Sequence, residues 1–584
     1  MSEEEIAEQR EAFIHAETRD IDRGLWEQVV EASGIEKLMD TQSKEELYGS
    51  LRSDDLPELT IDNIWATLEK FRDDSHDIFQ RGIANVFSKL DRRFKSHDGF
   101  KIGSRIIFNE ALNEYGSWNY YRKTDDRLRD VERTFFVLDG EPVPVEENPV
   151  LQGNFAPVDE ELVVQDLPSE GTIPEQLNGS LFRDGPNPIA PGPGHHWFLG
   201  DGMVHSITIR DGIAQSYRNR WIRTKQVEEL KGFPAGSISP NQPMQQGSGS
   251  VNVIRHGGHI LALPEVGLPW ELDEELNTIG QFDYDGVLNS NMTAHPKIDG
   301  QNGELVFFGY DFGNINLRYH TADPFGNLIR TVEIEKPVPT MMHDFGVTAS
   351  RVIFMDLPVA FSLEMAMSGK GLPFHWRNDM PARIGILPRE ATSDEVQWIK
   401  IDPCFVYHPL NAYDDGQEII FDVVRHDRAF VRGHLEGGGS VRLERWTINP
   451  AKERVASELI SDRSQEFPRV DPRTECHRNR FGYAVDFELQ VGPGALLKHD
   501  LENRTVETHE VGPAGAASEG VFVPMGGGED EGYILSVVYD GNTNASHLRI
   551  IDAQDFSAAP VAKIQLPQRV PFGFHGNWVP NHKS

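Results

Sequence analysis

Two periodicities divide the chain. Up to about residue 135, apolar positions recur at helical spacing: Ile64, Trp65, Leu68 and Phe71 fall on one face, and a second stripe runs through Ile78, Phe79, Ile83, Val86, Phe87, Leu90 and Phe94. Ser43 and Glu46 stand at capping-box spacing. The pattern predicts amphipathic helices packed on one another with a charged face to solvent. From Leu138 to Asn154 the composition shifts to Pro, Glu, Gly and Val, as in Glu141-Pro142-Val143-Pro144-Val145-Glu146-Glu147-Asn148-Pro149, which marks a domain boundary. Beyond it the period is 2. Ile207-Thr208-Ile209 before Asp211-Gly212, Val251 to Ile254 before His256-Gly257-Gly258-His259, and Ile534 to Val538 before Asp540-Gly541 predict strands joined by hairpin turns. Strand follows strand to the end with little helix between. One sandwich of that size is unusual, whereas small sheets repeated around an axis protect their edges. The expected organisation is a small, mostly helical domain over residues 1–140 and a mainly β propeller over residues 141–584.

Four histidines sit in matching settings on the β side. Met341-Met342-His343-Asp344-Phe345-Gly346 places an imidazole between apolar residues and a glycine at the opening of a predicted buried strand. Thr293-Ala294-His295-Pro296, Val406-Tyr407-His408-Pro409-Leu410 and Gly573-Phe574-His575-Gly576-Asn577-Trp578 resemble it. None is paired with another at i, i+4, so they meet only if the fold brings four strands to one point. Separations of 48 residues (295 to 343) and 65 residues (343 to 408) are near one blade plus loop, at roughly 40–50 residues per blade. The 167 residues from His408 to His575 leave room for about three more blades. One histidine per innermost strand would then meet on the axis.

Composition narrows the function. At 584 residues the chain exceeds one ordinary core, so at least two domains are expected. A formal net charge of −36 disfavours nonspecific binding of nucleic acid or anionic lipid, so no obligatory nucleic-acid partner is expected. Arg92, Arg93, Lys95 and Lys101 form a local basic run, whose ordinary reading is a solvated surface. Cys404 and Cys476 make neither a disulfide framework nor a thiolate metal site and read as buried small apolar residues. The opening Met1-Ser2-Glu3-Glu4-Glu5-Ile6 is acidic, and no apolar run reaches the roughly 18–20 residues of a membrane span. A soluble cytoplasmic protein is expected.

Imidazole donors suit Fe, Cu, Zn and Ni, and the lack of thiolates argues against a structural zinc site. Neutral ligands leave a divalent ion its full charge, so carboxylates should accept the other ring N–H of each histidine. Glu265, Glu466 and Glu519, each flanked by small or apolar residues, are the candidates. On spacing alone, each histidine also reads as a satisfied core or turn residue. His195, His196 and His205 flank Gly200-Asp201-Gly202 and read as turn or pocket residues, while His256 and His259 straddle a Gly-Gly hairpin.

From about residue 148 onward the chain resembles the carotenoid cleavage oxygenase family, and within it the lignostilbene dioxygenase branch. The motifs are Asn148-Pro149-Val150-Leu151-Gln152-Gly153-Asn154-Phe155-Ala156-Pro157-Val158, Leu177-Asn178-Gly179-Ser180-Leu181-Phe182-Arg183-Asp184-Gly185-Pro186-Asn187-Pro188, and His196-Trp197-Phe198-Leu199-Gly200-Asp201-Gly202-Met203-Val204-His205, together with the four histidine segments. The resemblance implies a seven-bladed propeller and one non-heme Fe(II) per chain held by His295, His343, His408 and His575. Glu265, Glu466 and Glu519 would orient those ligands, and O2 would cleave an olefinic C=C bond into two carbonyl products. The run from Asp91 to Gly103 resembles a domain of unknown function associated with phage and plasmid proteins, over roughly residues 20–140, and implies no chemistry.

The substrate is expected to be a small hydrophobic olefin: a stilbene-like phenylpropanoid first, an apocarotenoid or carotenoid as the alternative. Counting from Gly200-Asp201-Gly202 places Phe198 and Lys231 where lignostilbene-type relatives hold a phenol, and Phe198 lacks the hydroxyl. Phe361 to Trp376 is apolar and long enough to cover a tunnel or touch a membrane peripherally, although packing over the propeller is the plainer expectation. A reading of another class is a propeller kept only as a binding scaffold. Seven costly polar residues around an axis speak against it. Oligomeric state is not legible.

Overall fold

Period-2 alternation becomes seven antiparallel sheets of four to six strands each in the computed structural model. It describes residues 137–581 apart from 139–140, 244–245, 311–315, 337–338, 363–371, 431–439 and 489–491. The helical stripes predicted from Ile64 to Phe94 fall outside the described residues; of the domain expected over residues 1–140, Val137 and Leu138 are described, and they pair as a strand with Glu141 and Pro142. Blade 1 comprises Gly179–Pro186, Gly202–Arg210 and Ile213–Trp221, with Val163–Gln165 on one edge and Gly576–Pro580 on the other. Blades 2 to 7 follow in chain order over residues 252–281, 297–335, 346–401, 405–461, 465–509 and 515–565. The first strands of blades 4, 5 and 6 touch in turn, and that of blade 2 touches Gly179–Pro186 and Gly576–Pro580 of blade 1, which places these strands innermost. This is a seven-bladed β-propeller.

The ring is sealed twice. Gly576–Pro580 pairs with Gly179–Pro186 in blade 1, while Ser169–Gly171 adds to the outer edge of blade 7 by pairing with Ala562, Lys563 and Ile564. Leu181, Ile207, Ile209 and Tyr217 of blade 1 pack against Val521, Val523, Leu535, Leu548 and Ile550 of blade 7 in one buried cluster. Each such side chain contributes about 1.5–3 kcal/mol on burial, so the seam between first and last blades is a true core interface. Gly185 and Gly573 meet at the seam: a Cβ on Gly573 would lie 2.6 Å from the Asp184 carbonyl oxygen. That close approach seats the segment carrying His575 directly on blade 1.

Turn chemistry follows the sequence where glycine permits positive φ. Asp211 (φ 51°) and Gly212 (φ 72°) close one hairpin, and Gly257 (φ 57°) and Gly258 (φ 90°) close another between the paired His256 and His259. After Asp540 the loop runs four residues instead, because the Asp540 carboxylate accepts the Asn542 N–H and Asn544 takes φ 52°. Among the described residues the one α-helix, α1, is Lys225–Lys231, capped by Thr224 at its start and by Gly232 at φ 74°. Among them no helix is long and apolar enough to cross a membrane. Cys404 and Cys476 are free and buried.

Candidate metal centre

His408 lies within the strand Phe405–Asp415, and Pro409 beside it breaks the ladder, since proline has no N–H to give. The other three histidines do not sit inside innermost strands, as their motifs predicted, but just ahead of them. His295 precedes Lys297–Ile298, His343 precedes Gly346–Val347 and His575 precedes Gly576–Pro580. The reasons are local. Pro296 interrupts the first, and in the second the Phe345 N–H goes to the Asp344 side chain at 2.6 Å rather than to a strand. Thr293 ties two of these segments together: its hydroxyl accepts the His295 N–H at 3.1 Å and donates to the His343 carbonyl at 3.2 Å.

The four rings converge. His295 stands 4.4 Å from His343, 4.9 Å from His408 and 4.6 Å from His575 between ring centroids. His343 and His408 bring their Nε2 atoms to 3.3 Å. Among the described residues, His295, His408 and His575 offer ligand atoms all within 4.8 Å of one another, and His343 joins them through that Nε2 contact. His295, His408 and His575 are buried, and His343 is nearly so, with 10% side-chain exposure. Nε2 of His295 is buried without a hydrogen-bond partner, which is costly unless a cation takes its lone pair.

Carboxylates meet the opposite side of three rings. His343 Nδ1 lies 2.8 Å from Glu265, His408 Nδ1 2.7 Å from Glu466 and His575 Nδ1 2.8 Å from Glu519. Each glutamate is itself held. Glu265 accepts the Tyr310 hydroxyl at 2.7 Å; Glu466 accepts from His426 at 2.5 Å; Glu519 accepts the Gly576 N–H at 3.0 Å. Glu466 sits at a bulge where Phe467 adopts φ 55°, a conformation uncommon for a bulky residue, and the Phe467 ring stacks on His408 at 5.6 Å. Burial opposes ionisation of Glu519, yet Arg469 and His575 hold it down to about 2. Glu466 is held lower still, against burial, by His408 and His426. Burial drives His295 well below the ordinary histidine range, helped by the neighbouring imidazoles, and drives His575 to about 4. At His343 burial is outweighed by Glu265, which raises its proton affinity. Glu466 and Glu519 held ionised behind the rings, with His295 and His575 biased toward the neutral form, are what a divalent metal requires, and the all-nitrogen donor set fits iron.

Beside the rings lies a cavity of about 350 Å³, within the range of small-molecule pockets. Trp197, Phe198, Tyr407, Phe467 and Phe574 line it, and His343, His408 and His575 form part of its wall. Phe198 sits edge-to-face with Phe574 at 5.5 Å and with Tyr407 at 6.3 Å. Lys231 does not reach the cavity. It ends α1, where its ammonium lies 4.6 Å over the Trp221 ring and 3.4 Å from the Asp159 carbonyl. The segment expected to cover a tunnel, Phe361 to Trp376, is bounded by the paired strands Val359–Phe361 and Phe374–Trp376, and its Leu372, Pro373 and Phe374 line the cavity. His196 accepts the Phe198 N–H at 3.0 Å and His205 bonds the Tyr217 hydroxyl at 2.8 Å, so both order their surroundings. Sequence reading missed His426, Tyr310 and Thr293, none of which carries a local signal beyond lying on a buried strand or beside a ligand.

A family model described as retinal pigment epithelial membrane protein matches residues 155–580. A second, for a domain of unknown function, matches residues 18–182. The carotenoid cleavage oxygenase of Mycobacterium tuberculosis is 38% identical over 493 residues, covering 74% of this chain and 98% of the relative. Isoeugenol monooxygenase of Pseudomonas nitroreducens is 30% identical over 476 residues, covering 74% and 98%. Among solved structures, lignostilbene dioxygenase of Pseudomonas brassicacearum aligns with a TM-score of 0.68 at 28% identity, covering 75% of this chain and all of that one.

Proposed function

Because the chain belongs to the carotenoid oxygenase family, whose members cleave alkenes as dioxygenases, we propose that its histidine centre holds one Fe(II), bound by His295, His343, His408 and His575. The observation that carries this is the convergence of four imidazoles, three of them backed at Nδ1 by Glu265, Glu466 and Glu519. When bound, the iron supplies O2 chemistry that no side chain can. The protein does the rest. Glu265, Glu466 and Glu519 fix ring orientation, and the aromatic wall excludes water and holds a flat olefin beside the rings. No general acid or base is required of the chain. A silent scaffold would have no use for three carboxylates aimed at imidazoles, two of them buried.

A stilbene-like phenylpropanoid is the leading substrate. The aromatic lining and the cavity volume suit a two-ring olefin, and the isoeugenol and lignostilbene relatives are named for aryl olefins. A second reading, an apocarotenoid, is favoured by one observation: neither Phe198 nor Lys231 supplies a polar anchor for a phenol. Anaerobic loading with Fe(II), followed by aldehyde assays on a hydroxystilbene and an apocarotenal, tests both. Aldehyde from either names the branch; none from either, with iron bound, overturns the substrate reading.

Phe198→Ala should raise KM about tenfold on the preferred substrate, the effect of losing roughly one aromatic contact pair. Phe198→Tyr should shift the ratio of kcat/KM toward phenolic stilbenes. Steady-state kinetics check both, and a ratio unmoved by either change removes Phe198 from the substrate wall.

A further inference from the structure

His295 differs from the other three ligands. The carboxylate facing its Nδ1 is Asp344, and the gap is 3.7 Å, beyond hydrogen-bond length. Asp344 is not idle. It is 2% exposed, and Lys297 holds it with Nζ at 2.8 Å from one oxygen and 3.1 Å from the other. The Phe345 N–H adds a third bond. Lys297 lies two residues beyond His295, and Asp344 follows His343, so the ion pair also bridges two ligand-bearing segments. Glu475, which accepts the Ile298 N–H at 3.1 Å, and Arg469, 3.5 Å from Glu519, are further charges in this group.

A carboxylate bonded to Nδ1–H makes an imidazole a stronger donor, and each uncompensated negative charge near a metal favours its more highly charged state. We propose that Lys297 and Asp344 form a charge-compensating pair that withholds a carboxylate from His295 and thereby keeps the iron ferrous. Both are positioning residues: they touch neither substrate nor metal and act through His295. The inference rests on the reading that the four histidines bind iron.

The electrostatics assign opposite signs to the two single changes. Without Lys297, Asp344 is free to close on His295 Nδ1 and leaves one negative charge unbalanced. Without the Asp344 charge, Lys297 leaves one positive charge unbalanced. Removing both restores balance.

The test uses the full-length protein reconstituted anaerobically with Fe(II): wild type, Lys297→Met, Asp344→Asn, the double variant, and Lys297→Arg as a charge-preserving control. The Fe(III)/Fe(II) midpoint potential is measured by redox titration and iron affinity by chelator competition. Lys297→Met should lower the potential, Asp344→Asn should raise it and weaken iron binding about tenfold, and the double variant should return toward wild type, as Lys297→Arg should stay there. If Lys297→Met does not fold, the rise in Asp344→Asn decides alone. Potentials that do not move, or that move the same way in both single variants, overturn the proposal and leave the pair a structural bridge. Wild type that takes up no iron defeats the iron reading itself, before any variant is compared.

Discussion

His343→Ala is expected to purify without stoichiometric iron and to lose double-bond cleavage entirely. The substitution deletes one of four converging donors and leaves Glu265 facing a void with only the Tyr310 hydroxyl for company. Loss of an outer partner of a metal ligand already costs about 10–100-fold in affinity or activity, so loss of the ligand must cost more. Metal analysis after anaerobic loading, with a thermal melt on the same sample, separates the outcomes. Iron gone with the melt preserved supports the site. Iron retained at one per chain with activity intact would remove His343 from it.

Asp299→Ala should be the most damaging change away from the iron, lowering stability by about 3–5 kcal/mol, the range for breaking a buried charge pair. Asp299 follows the first strand of blade 3. It is bonded by Arg389, which follows a strand of blade 4, at 2.5 Å, and by His477 of blade 6 at 2.8 Å. Both Asp299 and Arg389 are 3% exposed, so alanine would leave the buried guanidinium with Glu304, at 2.8 Å, as its remaining carboxylate partner. Denaturant unfolding checks the size. The same bond makes an acid prediction. Burial alone would raise the Asp299 carboxyl, but His477, the Gln301 N–H and Arg389 outweigh it and hold it down to about 2. A carboxyl depressed in the folded state stabilises above its unfolded pKa of about 3.9 and loses that contribution as pH falls toward about 2. Asp299→Asn should therefore flatten wild type's loss of stability in that window.

The propeller was legible because alternation is local. Ile207 to Ile209 before Asp211-Gly212 carries strand and turn together, and the same pattern repeated to the C-terminal end leaves few architectures. The histidines were legible by context, each after an apolar residue and three of the four before Pro or Gly, although only His408 lies within its strand. Partnerships made by ring closure were not legible. Asp299 reaches Arg389 over 90 positions and His477 over 178, and no local pattern records either. Lys231 shows the converse. Counting from Gly200-Asp201-Gly202 fixes a position in the chain and not where a side chain points, and at the end of α1 the ammonium lies over Trp221. Phe467 shows a third limit: Glu466-Phe467-Pro468 reads as an ordinary strand, and its positive φ emerges only where the bulge aims Glu466 at His408 and His426.

X-ray absorption at the iron edge on the anaerobically reconstituted wild type tests the central claim most directly. The account predicts a ferrous ion whose scattering contains four imidazoles and no sulfur. Iron bound by two imidazoles and carboxylate oxygen, or no iron bound at all, would contradict it.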